Sequence, residues 1–160
     1  MATTTENTAR AFNDLVEINK TGAKGYQEAA EGVTSPELKS ELSRFSQQRA
    51  KFASELTQHA RKMGLNIEDS NTAEGLLTDA AATVHRGWIN IKSAVTGQND
   101  TAILSECENG ESVALKAYET ALKSGDLPAE AKSVFEQQHS QVLEAKNWVT
   151  QQKGSANHSH

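Results

Sequence analysis

The segment Lys24-Gly25-Tyr26-Gln27-Glu28-Ala29 returns 92 residues later as Lys116-Ala117-Tyr118-Glu119-Thr120-Ala121. Phe45-Ser46-Gln47-Gln48-Arg49 returns after 90 residues as Phe135-Glu136-Gln137-Gln138-His139. A repeat this widely separated constrains the fold strongly, because each copy has to be the same supersecondary unit. Apolar residues around both copies recur at three- and four-residue steps, the period of an amphipathic helix. Leu38, Leu42, Phe45, Phe52, Leu56 and Met63 form the clearest such stripe, and no run alternates as a strand would.

Punctuation sets the boundaries. Gly32, Gly64, Gly97, Gly125 and Gly154 each close a periodic stretch, and glycine just past a helix supplies the left-handed conformation that ends it. Thr34-Ser35-Pro36-Glu37 reads as a helix start with proline in the first turn, and Asn71-Thr72-Ala73-Glu74 has capping-box spacing. Asp100 and Asp126-Leu127-Pro128 open the last two segments. The spacing predicts helices over about 6–31, 36–63, 73–95, 101–123 and 128–152. Helices one and two form one antiparallel hairpin, and helices four and five form its copy. The third helix then lies in a long crossover, and at 1.5 Å per residue it can run the length of the bundle. The expected fold is all-α, a four-helix bundle of two hairpins joined by a crossover that contains a fifth helix. Residues 1–153 make one domain and 154–160, ending Asn157-His158-Ser159-His160, a flexible polar tail.

Each long helix carries a polar residue near the middle of its apolar face: Asn19, Arg49, Glu111 and His139. Mid-height polar residues are how bundles build metal and cofactor sites. Glu136-Gln137-Gln138-His139 is a Glu-x-x-His, and Glu111 stands seven residues before Tyr118. The matching places in the first half hold Asn19, seven before Tyr26, and Ser46 with Arg49.

These motifs resemble those of the ferritin-like proteins, in which a glutamate from each of two helices and a Glu-x-x-His from each of the other two hold a di-iron centre. More narrowly, the chain resembles a bacterial ferritin-like family described as a domain of unknown function, within a wider group of stress-associated bundle proteins. The segments Lys24–Ala30, His85-Arg86-Gly87-Trp88-Ile89-Asn90-Ile91-Lys92 and Ala117–Leu122 carry that resemblance. It implies a ferritin-like bundle with a degenerate di-iron site and a stress-associated role. His85, Arg86, Trp88 and Lys92 are the candidate family surface, against the plainer reading that Trp88 docks on the bundle.

Charge decides between the readings of the core. Two dications need several anionic oxygens, and the chain offers Glu111, Glu136 and neutral His139 with no carboxylate from the first hairpin. Arg49 stays charged in any protein environment. It is expected to replace the metal, in a core polar network of Asn19, Ser46, Arg49, Glu111, Glu136 and His139. One alternative is one iron, manganese or copper ion on Glu111, Glu136 and His139; another is that Arg49 or Glu136 faces solvent and no site exists. The first reading makes the chain a non-catalytic protein without a cofactor; the second makes it a metal-binding or oxidase-like one.

Composition excludes several other classes. The net charge of −5 is spread along the chain, and no Lys/Arg cluster interleaved with aromatics points to nucleic acid. No stretch has the length and apolarity of a membrane span or a secretory signal, so the cytoplasm is expected. The single Cys107 makes no internal disulfide and reads as a small buried hydrophobe. Glu55 and His59 share a helix face without the further ligands of a zinc site. No phosphate loop or nucleophile triad identifies a small-molecule substrate. Association of copies through helix faces is the expected form of partnership.

Overall fold

The computed structural model describes residues 4–65, 87–88, 90–97, 99–123 and 127–158. Among these, five helices and no strand occur: α1 (Thr4–Gly32), α2 (Pro36–Lys62), α3 (Ile91–Thr96), α4 (Asp100–Lys123) and α5 (Ala129–His158). The capping box at residues 71–74 and the start of the expected third helix lie outside the described residues.

Local chemistry explains the ends. Ser35 caps α2, its hydroxyl accepting from the Leu38 N–H at 3.3 Å, with Pro36 in the first turn where its missing N–H costs nothing. At the other end His59, Arg61 and Lys62 complement the helix dipole. Gly64 then takes φ 76°, while the Leu65 N–H reaches Ala60 O and the Gly64 N–H reaches Arg61 O. That is a Schellman stop. Asn99 caps α4 by accepting from the Ala102 N–H at 3.0 Å.

Gly125 lies outside the described residues, and the remaining expected glycine stops work differently. Gly97 closes α3 at φ −74°, and α5 passes through Gly154 to His158. An exposed helical glycine costs only about 1 kcal/mol against alanine, too little to end a helix by itself. Gly25, Gly32 and Gly110 act by lacking a side chain, because a Cβ there would overlap Trp88 or Val95.

Cross-helix contacts give the directions. Ser46 Oγ donates to Ala23 O across the short turn from α1 to α2. Glu119 meets His139 and Glu108 meets Thr150, so α4 and α5 run antiparallel. Thr34 meets Asp100, and Asn19 meets Tyr118, so α1 and α4 are antiparallel too. Gln48 with Gln141 and His59 with Glu130 say the same of α2 and α5. The four long helices therefore point up, down, down and up, and the link from α2 to α4 has to climb the bundle, a rise of about 40 Å for a helix this long. One apolar core draws on all five helices. Among the described residues no helix is long and apolar enough to cross a membrane.

Candidate functional site

Burial follows the repeat closely in α1 and α4. At a spacing of 92 residues, Leu15 matches Cys107, Asn19 matches Glu111, Tyr26 matches Tyr118 and Ala29 matches Ala121, each pair buried. In α2 and α5 the buried positions match at 93 rather than 90. Leu42 pairs with Phe135, Phe45 with Gln138, Arg49 with Val142 and Leu56 with Val149. The interior counterpart of Arg49 is thus Val142, and His139 sits off the core face. The sequence motif misleads by three residues, because i and i+3 share a helix face and both phenylalanines are buried in either register.

Two polar layers result. In the first, the Arg49 guanidinium grips Glu111 with both terminal nitrogens, Nη1 to Oε1 and Nη2 to Oε2, the latter at 2.6 Å. Both residues are 1% exposed. Arg49 also lies 5.5 Å from the Tyr26 ring centroid and 5.9 Å from that of Phe52, so its faces are covered by π-systems. Burial works to discharge Arg49, but the Glu111 carboxylate outweighs it and holds the guanidinium's pKa above its ordinary value.

The second layer is neutral. Asn19 Nδ2 donates to Leu15 O at 2.8 Å and to Tyr118 Oη at 2.7 Å. The Tyr118 hydroxyl in turn donates to Gln138 Oε1 at 2.7 Å. Burial, and then the nearness of Glu111, pushes the Tyr26 hydroxyl and the Cys107 thiol well above their ordinary values. Tyr118 is raised as well, chiefly by burial. All three stay protonated at neutral pH, so these groups supply neither a general base nor a thiolate nucleophile.

The expected site residues therefore separate. Asn19, Arg49 and Glu111 are interior. Glu136 is exposed on the outer face of α5, and His139 is half-buried against Glu119 at 3.4 Å. Glu111, Glu136 and His139 do not converge, and among the described residues no three of His, Cys, Asp and Glu are placed to hold a metal ion. Ser46 is half-buried and spends its hydroxyl on Ala23 O. Glu136, His139 and Ser46 thus do not join the core network, and Gln138 and Tyr118 do, while Tyr26 meets Arg49 through its ring. Residues 131, 135, 138, 142, 145 and 149 are all buried, and their unbroken 4-3-4-3-4 spacing was the sequence signal for Gln138.

Around Trp88 the structure agrees with the plainer reading, in which the indole docks on the bundle. Lys92 is exposed, His85 and Arg86 lie outside the described residues, and Trp88 is 5% exposed. Its indole packs edge-on to Tyr26 at 5.1 Å and fills a slot between α1 and α4. The slot exists because Gly25 and Gly110 face each other across it. A Cβ on either would fall 2.4 Å and 2.2 Å, respectively, from indole carbons.

A family model described as a domain of unknown function, DUF2383, matches residues 7–124. The chain belongs to this family. No curated protein and no solved structure matches it. The DUF2383 region takes in α1, α2, α3 and α4, and so contains Asn19, Arg49, Glu111, both tyrosines and the glycine slot for Trp88. Helix α5, which brings Gln138, lies beyond it.

Proposed function

We propose that this DUF2383 protein is a non-catalytic bundle of ferritin-like build, in which a closed ionic layer occupies the level where a di-metal carboxylate centre would lie. The up-down-down-up order of its long helices supports the ferritin-like part. The observation that carries the rest is the Arg49–Glu111 pair, buried to 1% and bonded at both guanidinium termini. The one interior carboxylate of the expected ligand set is thereby committed to a permanent cation. A dication placed beside it would meet the Arg49 charge at short range, in surroundings that screen it poorly. A bundle with such a core acts through its surfaces and its rigidity rather than by turnover.

Elemental analysis of protein prepared without affinity tags or chelators tests this. Substoichiometric iron, manganese and copper, unchanged in His139→Ala, is the expected result. Stoichiometric metal that is lost in Glu111→Gln would overturn it.

A further inference from the structure

Five glutamines, Gln47 and Gln48 on α2 and Gln137, Gln138 and Gln141 on α5, line a trough between those two helices. The trough exists because α2 and α5 touch at far fewer places than α1 and α4 do. Its volume is about 410 Å³, within the range of clefts that hold small molecules. Side-chain contacts cross the trough at two levels. Gln48 Nε2 reaches Gln141 Oε1 at 3.4 Å, near where Trp148 packs edge-on to Phe45. His59 meets Glu130 at 3.0 Å further along. From Gln48 to His59 the helix rises about 16 Å, room for a small molecule.

The floor carries an underused donor. Gln138 is 2% exposed, and its Oε1 accepts the short bond from Tyr118. Its Nε2 reaches only Phe52 O at 3.5 Å and Glu55 Oε1 at 3.4 Å, beyond the 2.7–3.2 Å of ordinary N–H···O bonds. A buried amide met this weakly forgoes most of its hydrogen-bond energy, and an acceptor placed in the trough would restore it. Beside it stand two opposite charges one helical turn apart on α2: the exposed Lys51 ammonium and the half-buried Glu55 carboxylate. The other ionisable side chains lining the trough have partners, Arg44 in Glu41 and His59 in Glu130; a simple anion would be drawn to Lys51 and repelled by Glu55, and a simple cation the reverse. A small molecule carrying both charges satisfies both.

We propose that the α2/α5 trough binds a free α-amino acid. Its carboxylate lies on Lys51 and the Gln138 Nε2–H, its ammonium on Glu55, and its side chain along Phe52 and Val134. Because Gln138 also holds Tyr118, and Tyr118 holds Asn19, occupancy is felt on α4 and α1.

Titrating the ¹⁵N-labelled full chain with each common α-amino acid to about 10 mM, past the millimolar range of weak complexes, tests the assignment by NMR. The expected result is saturable movement of the Gln138 and Gln141 side-chain amide signals with at least one amino acid. Lys51→Ala and Glu55→Ala, both at the surface, should each weaken that binding about tenfold or more, a loss of about 1.4 kcal/mol. Lys39→Ala, on the groove between α1 and α2, should leave it unchanged. No saturable shift with any amino acid overturns the proposal. So does binding that survives both trough variants, or an equal response to acetate alone.

Discussion

Replacing Arg49 with methionine removes one member of a bidentate pair while keeping most of the side-chain volume. Glu111 is 1% exposed, so its carboxylate is left without a counter-charge and without access to water. Breaking a buried pair in this way typically costs about 3–5 kcal/mol. A domain of this size has about 5–15 kcal/mol in all, so the loss is a large fraction of it. With about 2–4 °C per kcal/mol, the melting temperature should fall by roughly 6–20 °C. Glu111→Leu alone strands the guanidinium and should cost a similar amount. The double variant strands nothing, and exchanging a whole buried pair for apolar residues is often neutral, or stabilising by about 1–4 kcal/mol. Equilibrium urea unfolding followed by circular dichroism, with the slope checked for constancy, yields the complete double-mutant cycle. A single-variant loss below about 1 kcal/mol, or a double variant as unstable as the two losses added, would refute the reasoning that the charges are held by each other.

Gly110→Ala puts a methyl 2.2 Å from an indole carbon of Trp88, so the ring has to move; overpacking of this kind costs about 1–3 kcal/mol, and tryptophan fluorescence should shift with it. In the Trp88→Ala background the same substitution should be nearly free. Tyr118→Phe removes the hydroxyl shared by Asn19 and Gln138 and should cost about 1–3 kcal/mol in thermal or urea unfolding, whereas the exposed Glu136→Gln should stay within about 0.5 kcal/mol. Lys153 first, and then Thr150, hold the Glu108 carboxyl below its ordinary value. A depressed folded pKa gives stability that is present above the unfolded value and lost as pH falls through the folded one. Wild type should therefore exceed Glu108→Gln by under about 1 kcal/mol at neutral pH, and the difference should vanish in acid below the ordinary carboxylate range, as melting temperatures across pH will show.

How far the sequence could be read depended on what each helix face had to satisfy. The long helices and their hairpin pairing were legible because apolar stripes, a capping serine with proline, and a widely spaced repeat all agreed. On α1 and α4 the repeat was also an accurate guide to the interior, since Asn19 and Tyr26 have Glu111 and Tyr118 as buried partners. On α2 and α5 it failed for a geometric reason. Phe45 and Phe135 invite alignment, yet a slide of three residues keeps an amphipathic helix on the same face. Only the neighbours discriminate, and Gln138 in place of His139 is the outcome. A glutamine on a helix face looks like solvent-facing filler until its carbonyl is seen to accept from Tyr118 at 2.7 Å. The glycine slot was equally hidden. Gly25 and Gly110 are 85 residues apart in the chain, and nothing local marks either as a bed for an indole. What they share is a height in the bundle, and height follows from the antiparallel pairing of α1 with α4. Arg49 reaches Glu111 from α2, on the far side of Tyr26, so the crossover's indole, the Tyr26 ring and the ion pair behind that ring form one packed column. Trimming the slot and discharging the pair should therefore not be additive, because Tyr26 is common to both.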